Sequence, residues 1–251
     1  MIIYVNLRRI ITNYIENIMK TKLLSLVAAL AAFVPAIAQN ASEGNAVEDA
    51  KAVVPESAQM LATAGQLVKY GYSQENALPL IQAVEIYQNI AGEGTRAGNK
   101  TAIPSTEAVE AGEAATKRSV IEHDVENLLA TATVFADGDE TLLTLIEGLK
   151  QSATRGATKN YDVHHDRVDA KGTDVYTIRF WGGEPACVVV SGDGDTDLDL
   201  YVYDENDNLI TSDTDSSDQC VVSWTPKWTG TFTIKIKNRG KVFNRYSMAV
   251  N

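Results

Sequence analysis

The sequence has few of the residues on which most enzymes depend. Its 251 residues include three histidines and two cysteines, so general bases and thiol nucleophiles are scarce. The G-x-S-x-G elbow of serine hydrolases and the H-E-x-x-H motif of zinc peptidases are both absent. No C-x-x-C or Cys/His spacing suggests zinc. These absences argue against a catalytic protein, although motifs alone do not exclude a glycosidase that uses only carboxylates.

Positive charge is also in short supply. The net charge of −11 argues against a nucleic-acid partner, because such proteins usually carry a basic footprint. The charge is unevenly distributed: Asp193 to Asp218 holds ten acidic and no basic residues, whereas Lys227 to Arg245 holds six basic and no acidic ones. Such a pattern either polarises a domain or reflects two solvated surfaces.

No apolar run is long enough to span a bilayer comfortably. From Met19 the chain has a basic start, an apolar run from Leu23 to Val34 and the A-x-A triplet that ends at Ala38. This pattern predicts a secretory signal peptide with cleavage after Ala38, and it favours Met19 over Met1 as the true start. We therefore exclude residues 1–38 from the fold and predict a secreted or periplasmic protein with no retained membrane anchor.

The hydrophobic period changes along the chain. Residues 44–153 follow the helical period and predict a small α-helical bundle, 154–160 read as a polar linker, and 161–251 alternate with period two. The fold prediction is an α+β chain in two parts, with the helical domain followed by an antiparallel, jelly-roll-like β-sandwich.

Five helices and six strands are predicted within these parts. The helices cover 56–72, 73–92, 106–117, 120–135 and 139–153, and 93–105 read as a linker. The strands cover 174–181, 185–192, 198–204, 219–226, 230–238 and 244–251. His123 is predicted to be a solvated helix residue, and His164-His165 are predicted to belong to a linker or to the entry of a strand.

The two cysteines, Cys187 and Cys220, lie in apolar strand-like runs. In an exported protein such a pair can persist as a disulfide, and we predict one between neighbouring strands. Two buried free thiols are the alternative.

The stretch "SGDGDTDLDLYVYD" begins as an acidic loop and ends as a strand. As an EF-hand loop it fails, because Leu198 stands where glycine is required and no bidentate Glu closes it. Leu198 alternates with Asp199, so the second half predicts a half-buried strand with Asp199 facing solvent. The loop "DGDTD" remains a candidate site for weak, structural calcium with Asp193, Asp195 and Asp197 as ligands. An exposed, hydrated acidic turn is the alternative.

Aromatic residues crowd the β-region. Trp224 shares parity with Cys220 and is predicted to lie in the core. Trp228, Tyr201 and Tyr203 are the candidate binding surface, since an exposed aromatic patch would indicate protein or glycan recognition. The sequence alone does not determine their exposure.

Three segments together resemble the bacterial pre-peptidase C-terminal domain. They are "DTDLDLYVYDENDNLITSD", "VVSWTPKWTGTFTIKIKN" and "NRYSMAVN". The resemblance covers about 161–251 and implies a small jelly-roll β-sandwich of the kind found on secreted bacterial proteins, many of them peptidases. It also implies architectural similarity to collagen-binding domains, some of which bind calcium. Such domains usually follow a peptidase, and no peptidase motif precedes this one.

These observations predict an exported, non-catalytic binding or accessory protein that needs no cofactor beyond possible structural calcium. Its partner would be an extracellular protein or a glycan, met by the β-sandwich. The competing hypotheses are a secreted hydrolase with a carboxylate site in the helical region, such as Glu122, Asp124 and Glu126, and a structural component of the envelope.

Overall fold

The computed structural model describes residues 44–47, 53–93, 100–106, 121–152 and 161–251. The predicted signal peptide, the body of the predicted third helix and the predicted linker at 154–160 lie outside these residues. None of the described helices is long and apolar enough to cross a membrane.

Four described helices lie in the N-terminal part of the chain. They are α1 (Glu56–Ser73), α2 (Ala77–Ile90), α3 (Val125–Phe135) and α4 (Glu140–Ser152). Helix α3 starts at Val125 rather than at the predicted Val120, because Asp124 caps it: Asp124 Oδ1 accepts the Asn127 backbone N–H at 2.9 Å. The predicted order, helices first and a sandwich after them, is confirmed.

The described strands form two five-stranded sheets. They are β1 (Ala91–Glu93), β2 (Lys100–Ile103), β3 (Tyr161–Val168), β4 (Thr173–Phe180), β5 (Ala186–Gly192), β6 (Leu198–Tyr203), β7 (Leu209–Asp213), β8 (Gln219–Trp224), β9 (Gly230–Asn238) and β10 (Asn244–Val250). The first sheet has the order β1-β3-β10-β5-β8 and the second β2-β4-β9-β6-β7. Their neighbouring strands are antiparallel except for β1, which runs parallel to β3.

Two apolar cores lie on opposite faces of the first sheet. In β5, Val188 and Val190 face the second sheet, and Val189 faces the helices. This explains why "ACVVVSG" is apolar throughout and every residue of β5 is buried. The helices therefore cover the outer face of the first sheet, and the sandwich core fills its inner face.

Helix α1 lies very close to the first sheet. A Cβ on Gly65 would come within 2.5 Å of the Ser191 Cβ on β5, so the helix can approach this closely only with glycine there. Lys69, one turn further along α1, pairs with Asp218 just before β8 at 2.6 Å. Close packing and an ion pair thus join the helical layer to the sandwich.

The segment predicted as a linker at 93–105 contains a strand. Lys100–Ile103 pairs antiparallel with Thr173–Tyr176 and forms an edge of the second sheet. These four residues show no clear alternation and so give no local strand signal. They form a strand because their backbone pairs with residues 70 to 76 positions further along the chain.

The predicted disulfide is wrong: both cysteines are free and buried. Cys187 lies opposite Ser223 across β5 and β8, and Cys220 lies opposite Val190, so the two are offset along the strands. They also face different cores, Cys187 the helices and Cys220 the sandwich interior. Burial raises the pKa of Cys187 to about 12, which keeps this thiol protonated and unreactive.

The division into domains at 44–153 and 161–251 stays a prediction. The shared core beneath α1 nevertheless means that neither part buries its apolar surface alone.

Candidate recognition face and acidic loop

The outer face of the second sheet carries polar, basic and aromatic side chains. Alternation in β6 turns Leu200 and Val202 inward, where both are fully buried, and turns Tyr201 and Tyr203 outward, where both are half-buried. The neighbouring central strand β9 contributes Lys235 directly opposite Tyr201. The predicted parity of β6 is confirmed.

The outward tyrosines form a small stacked platform. Their ring centroids are 6.5 Å apart with an interplanar angle of 27°. Lys235 Nζ lies 4.4 Å from the centroid of the Tyr203 ring, within cation–π range. This places an ammonium group beside two partly exposed aromatic faces.

Asp199 does not face solvent as predicted. It is 5% exposed, accepts a hydrogen bond from Tyr201 Oη at 3.0 Å and lies 3.6 Å from Arg239 Nε. Burial and the neighbouring Asp199 raise the pKa of Tyr201 to about 12, so its hydroxyl stays protonated. Asp199 therefore orients the tyrosine platform instead of offering a free carboxylate.

Two exposed indoles lie at the end of the sandwich where β4 and β6 finish. Trp181 is 49% and Trp228 45% exposed. A Cβ on Gly182 would come within 2.7 Å of the Trp228 Cα, which places the β4–β5 turn against the β8–β9 turn. Trp228 Nε1 donates to Glu205, and Asn45 Nδ2 donates to the Trp228 carbonyl at 3.0 Å.

The exposure that the sequence left undetermined is therefore resolved. Trp228 is 45% exposed at the sandwich end, and Tyr201 and Tyr203 are partly exposed on the adjoining face. Trp224 is buried among Phe180 and Phe232, as its parity predicted.

The acidic loop between β5 and β6 is held by backbone hydrogen bonds to its own carboxylates. Both oxygens of Asp193 accept backbone N–H groups, from Asp195 at 3.1 Å and from Arg245 at 2.9 Å. Asp193 is nevertheless 2% exposed, and its burial raises its pKa to about 6. Asp197 Oδ1 is buried without a hydrogen-bond partner in the described chain, and burial raises the pKa of Asp197.

Within the described residues, no group of three or more His, Cys, Asp or Glu side chains has the geometry of a metal site. Calcium binding by Asp193, Asp195 and Asp197 stays a prediction.

A melting scan tests whether the acidic loop binds calcium. We expect the midpoint of the wild type to rise in millimolar CaCl₂ relative to EDTA, and that of Asp195→Asn not to move. The expected gain at ten times the Kd is about 1.4 kcal/mol. Asp207→Asn, in the exposed β6–β7 turn, is the matched control and should keep the response. If calcium does not change the melting midpoint of the wild type, the loop is a hydrated acidic turn and not a calcium site.

The structure brings part of the predicted carboxylate set together with two histidines. A cleft of about 230 Å³ is lined by Glu122, His123, Asp124 and His165, with Arg245 at its side. Glu122 pairs with Arg245 at 3.5 Å and Asp124 caps α3, so both carboxylates already have structural partners.

The third carboxylate, Glu126, is exposed in the first turn of α3 and does not line this cleft. His123 is not solvated as predicted but 3% exposed.

A polar network that was not predicted from the sequence lies beside a second, wider cleft of about 600 Å³. Lys100 on β2 reaches Asp166 at 2.6 Å and Asp174 at 2.9 Å. Asp174 also accepts a hydrogen bond from Tyr246 at 2.6 Å, and Tyr246 lies 2.6 Å from the Tyr176 hydroxyl.

Burial alone would lower the pKa of Lys100, but its hydrogen bonds to the two carboxylates outweigh burial and raise it. Burial also raises the pKa of Asp174, against the opposing effect of Tyr246 and Lys100. The sequence signal was available: Asp174 occupies an inward position of β4, where an acidic residue requires buried partners.

No family model and no curated protein matches the sequence. Several solved structures are similar to part of it, including the following three. A mitogen from Yersinia pseudotuberculosis is 16% identical over 37% of this chain and 85% of its own, with a TM-score of 0.31. The pre-peptidase C-terminal domain of a Bacillus anthracis collagenase is 15% identical over 35% and 88%, with a TM-score of 0.28. The lysozyme inhibitor PliG of Aeromonas hydrophila, periplasmic and directed at g-type lysozyme, is 18% identical over 36% and 84%, with a TM-score of 0.28. At these scores the similarities carry no argument about function.

Proposed function

We propose that the protein is an exported, non-catalytic binding module that recognises an extracellular or envelope partner through the outer face of its second sheet and the adjoining sandwich end. The observation that supports this most directly is the difference between the two sheets. Helices cover the outer face of the first sheet, whereas the second presents Tyr201 and Tyr203 partly exposed, with Trp228 exposed nearby.

Physical chemistry favours binding at such a surface. An exposed aromatic ring gains apolar contact area when a ligand covers it, and a neighbouring cation adds directional attraction. The platform is also rigid, because Tyr201 and Tyr203 stand on β6, which pairs with a strand on each side, and Asp199 orients one hydroxyl. A preformed surface loses little conformational entropy when it binds.

Export belongs to the same proposal. The signal peptide predicted to end at Ala38 and the sequence resemblance of 161–251 to pre-peptidase C-terminal domains both support a role outside the cytoplasm. Such domains accompany secreted proteins, which fits an accessory module better than a free-standing enzyme.

The test is an array of glycans and matrix proteins probed with the purified protein and three variants. We expect Tyr203→Ala and Trp228→Ala each to weaken binding to a ligand detected with the wild type by about tenfold, because central aromatic contacts typically contribute more than 1 kcal/mol. Tyr70→Ala is the matched control, since Tyr70 is 56% exposed on α1 and lies away from the second sheet. It should bind like the wild type.

If all variants bind like the wild type, the ligand binds elsewhere on the molecule and not at these aromatic residues. The hydrolase hypothesis is tested separately on a broad substrate panel with Glu122→Gln, Asp124→Asn and Glu126→Gln. Turnover that one of these substitutions abolishes would replace the proposed function with an enzymatic one. A component that is only structural would give neither ligand nor turnover.

A further inference from the structure

The chain is strongly acidic, yet the outer face of its second sheet is basic. Five carboxylates of the acidic segment are buried: Asp193, Asp199, Asp204, Asp213 and Asp218 are between 1% and 6% exposed. Their oxygens accept hydrogen bonds within the fold, as in Asp204, which accepts from the backbone of Asn45, Asn206 and Asn208 at 2.9 Å each. Half of the ten acidic residues between Asp193 and Asp218 are therefore buried and hydrogen-bonded inside the fold, and do not form a solvated acidic surface.

The basic segment is arranged in the opposite way. Strand β9 is central in the second sheet, and its inward residues Phe232, Ile234 and Ile236 are fully buried. Alternation then turns Lys235 and Lys237 outward in the middle of the face. Arg179 on β4 and Arg239 just after β9 extend this row of cations, and Asp199, the one acidic residue at an outward position in the described strands of this sheet, is already paired with Arg239.

The remaining outward positions are mostly hydroxyl-bearing. Outward side chains with a hydroxyl are Thr101, Thr173, Thr177, Thr231, Thr233 and Ser212, together with Tyr201 and Tyr203. Protein–protein interfaces are poor in lysine and serine at their centre and have a more apolar core. Here lysines occupy the centre and apolar side chains are few. A ligand with many hydroxyl groups and negative charges matches this surface better than a folded protein does.

We infer that this basic face binds an anionic polysaccharide, one that carries carboxylate or sulfate groups along a chain of sugar rings; the inference rests on the proposed function and names its ligand class. Lys235 and Lys237 attract the anionic groups, Tyr201 and Tyr203 stack on sugar faces, and the threonine row exchanges hydrogen bonds with ring hydroxyls. The negative charge of the rest of the molecule disfavours binding at other surfaces.

The experiment is affinity electrophoresis, followed by titration calorimetry, against four polymers: polygalacturonate for carboxylates, heparin for sulfates, neutral dextran and double-stranded DNA. We expect the wild type to be retarded by at least one anionic polysaccharide and not by dextran. Binding should weaken as salt is raised through the physiological range, because screening shortens the reach of each charge. DNA should bind more weakly than the polysaccharide, because it offers phosphates without accessible sugar faces for Tyr201 and Tyr203.

Matched variants locate the site. Lys235→Ala combined with Lys237→Ala should weaken binding roughly tenfold, since two charges that attract the polymer are removed and Tyr203 loses its cation–π contact with Lys235. Tyr203→Ala should weaken it as well, although its charge is unchanged. Lys150→Ala, which removes the same charge from an exposed position on α4, should leave binding intact. Unchanged melting temperatures ensure that the losses are local.

Other outcomes overturn the inference in distinguishable ways. Binding to dextran or to a matrix protein, with no response to the anionic polymers, would keep the recognition role and reject this ligand class. Equal retardation by DNA would make the face a general polyanion surface. A dimer in sedimentation that Lys237→Glu dissociates would assign the face to a second copy of the acidic chain. An absence of binding to any probe would count against both the recognition role and its ligand class.

Discussion

Replacing Val189 with aspartate should unfold the helices and the sandwich together. Val189 is 2% exposed on β5, on the face that packs against the helices. Aspartate would bury an unpaired carboxylate between two layers, and the expected loss in free energy of unfolding is at least about 4 kcal/mol. Val189→Ala, a milder change, should cost about 1.5–3 kcal/mol and leave a folded protein to measure.

The measurement is urea unfolding followed by two signals. Trp181, Trp224 and Trp228 all lie in the β-region, so tryptophan fluorescence reports the sandwich, whereas far-ultraviolet circular dichroism is dominated by the helices. The wild type and Val189→Ala should give coincident transitions in both signals. Val134→Ala is the matched control: Val134 is 73% exposed on α3, and its replacement should change stability by about 0.5 kcal/mol or less.

Two separate transitions, with only the fluorescence transition displaced by Val189→Ala, would contradict the shared core. They would instead support independent domains divided near the predicted linker.

The architecture could be predicted from the sequence because it follows from local patterns of apolar residues. Period-two alternation determined the faces of β6 and the burial of Trp224, and the helical period located four described helices. The continuous apolar run of β5 is typical of a strand covered on both faces, although no cover for its outer face was predicted. What local patterns do not contain is the identity of that cover, so α1 and its Gly65 contact with Ser191 required the structure.

The errors have the same origin. The cysteines were treated as a pair because both lie in apolar strands, but a disulfide depends on register and face, and the pairing of Cys187 with Ser223 excludes it. The strand at Lys100–Ile103 is specified by its partner in β4 rather than by its own residues. The alternation of β6 predicts a solvent-facing Asp199, and the charged neighbours Glu122 and Asp124 predict a solvated His123, whereas the fold surrounds both side chains with other groups.

His123 should make the protein acid-sensitive. The ring is 3% exposed and lies near His165, Lys69, Asp218 and the Gly192 backbone. Burial is the main reason why the pKa of His123 falls from 6.5 to about 3, and the nearby positive charges of His165 and Lys69 lower it further.

The sign of the effect follows from proton binding in the two states. Between about pH 6.5 and 3 the unfolded chain binds a proton at His123 that the folded chain does not, so stability is complete above pH 6.5 and falls as the solution is acidified. The expected loss between pH 7 and pH 4 is about 3 kcal/mol from this group. Asp193 acts in the opposite direction, because its folded pKa of about 6 means that the folded state holds a proton there that the unfolded state has lost.

Comparing variants isolates the histidine from these other groups. Free energies of unfolding from urea titrations at pH 7, 5.5 and 4 should decline steeply in the wild type and much less in His123→Leu and His123→Gln, with the difference between the curves widening toward pH 4. Val134→Gln, at a position on α3 that is 73% exposed and has no titratable group, is the control and should follow the wild-type curve closely. If the His123 variants lose stability with acid as steeply as the wild type, the ring is either protonated in the folded state or reached by water, and the acid sensitivity belongs to the carboxylates instead.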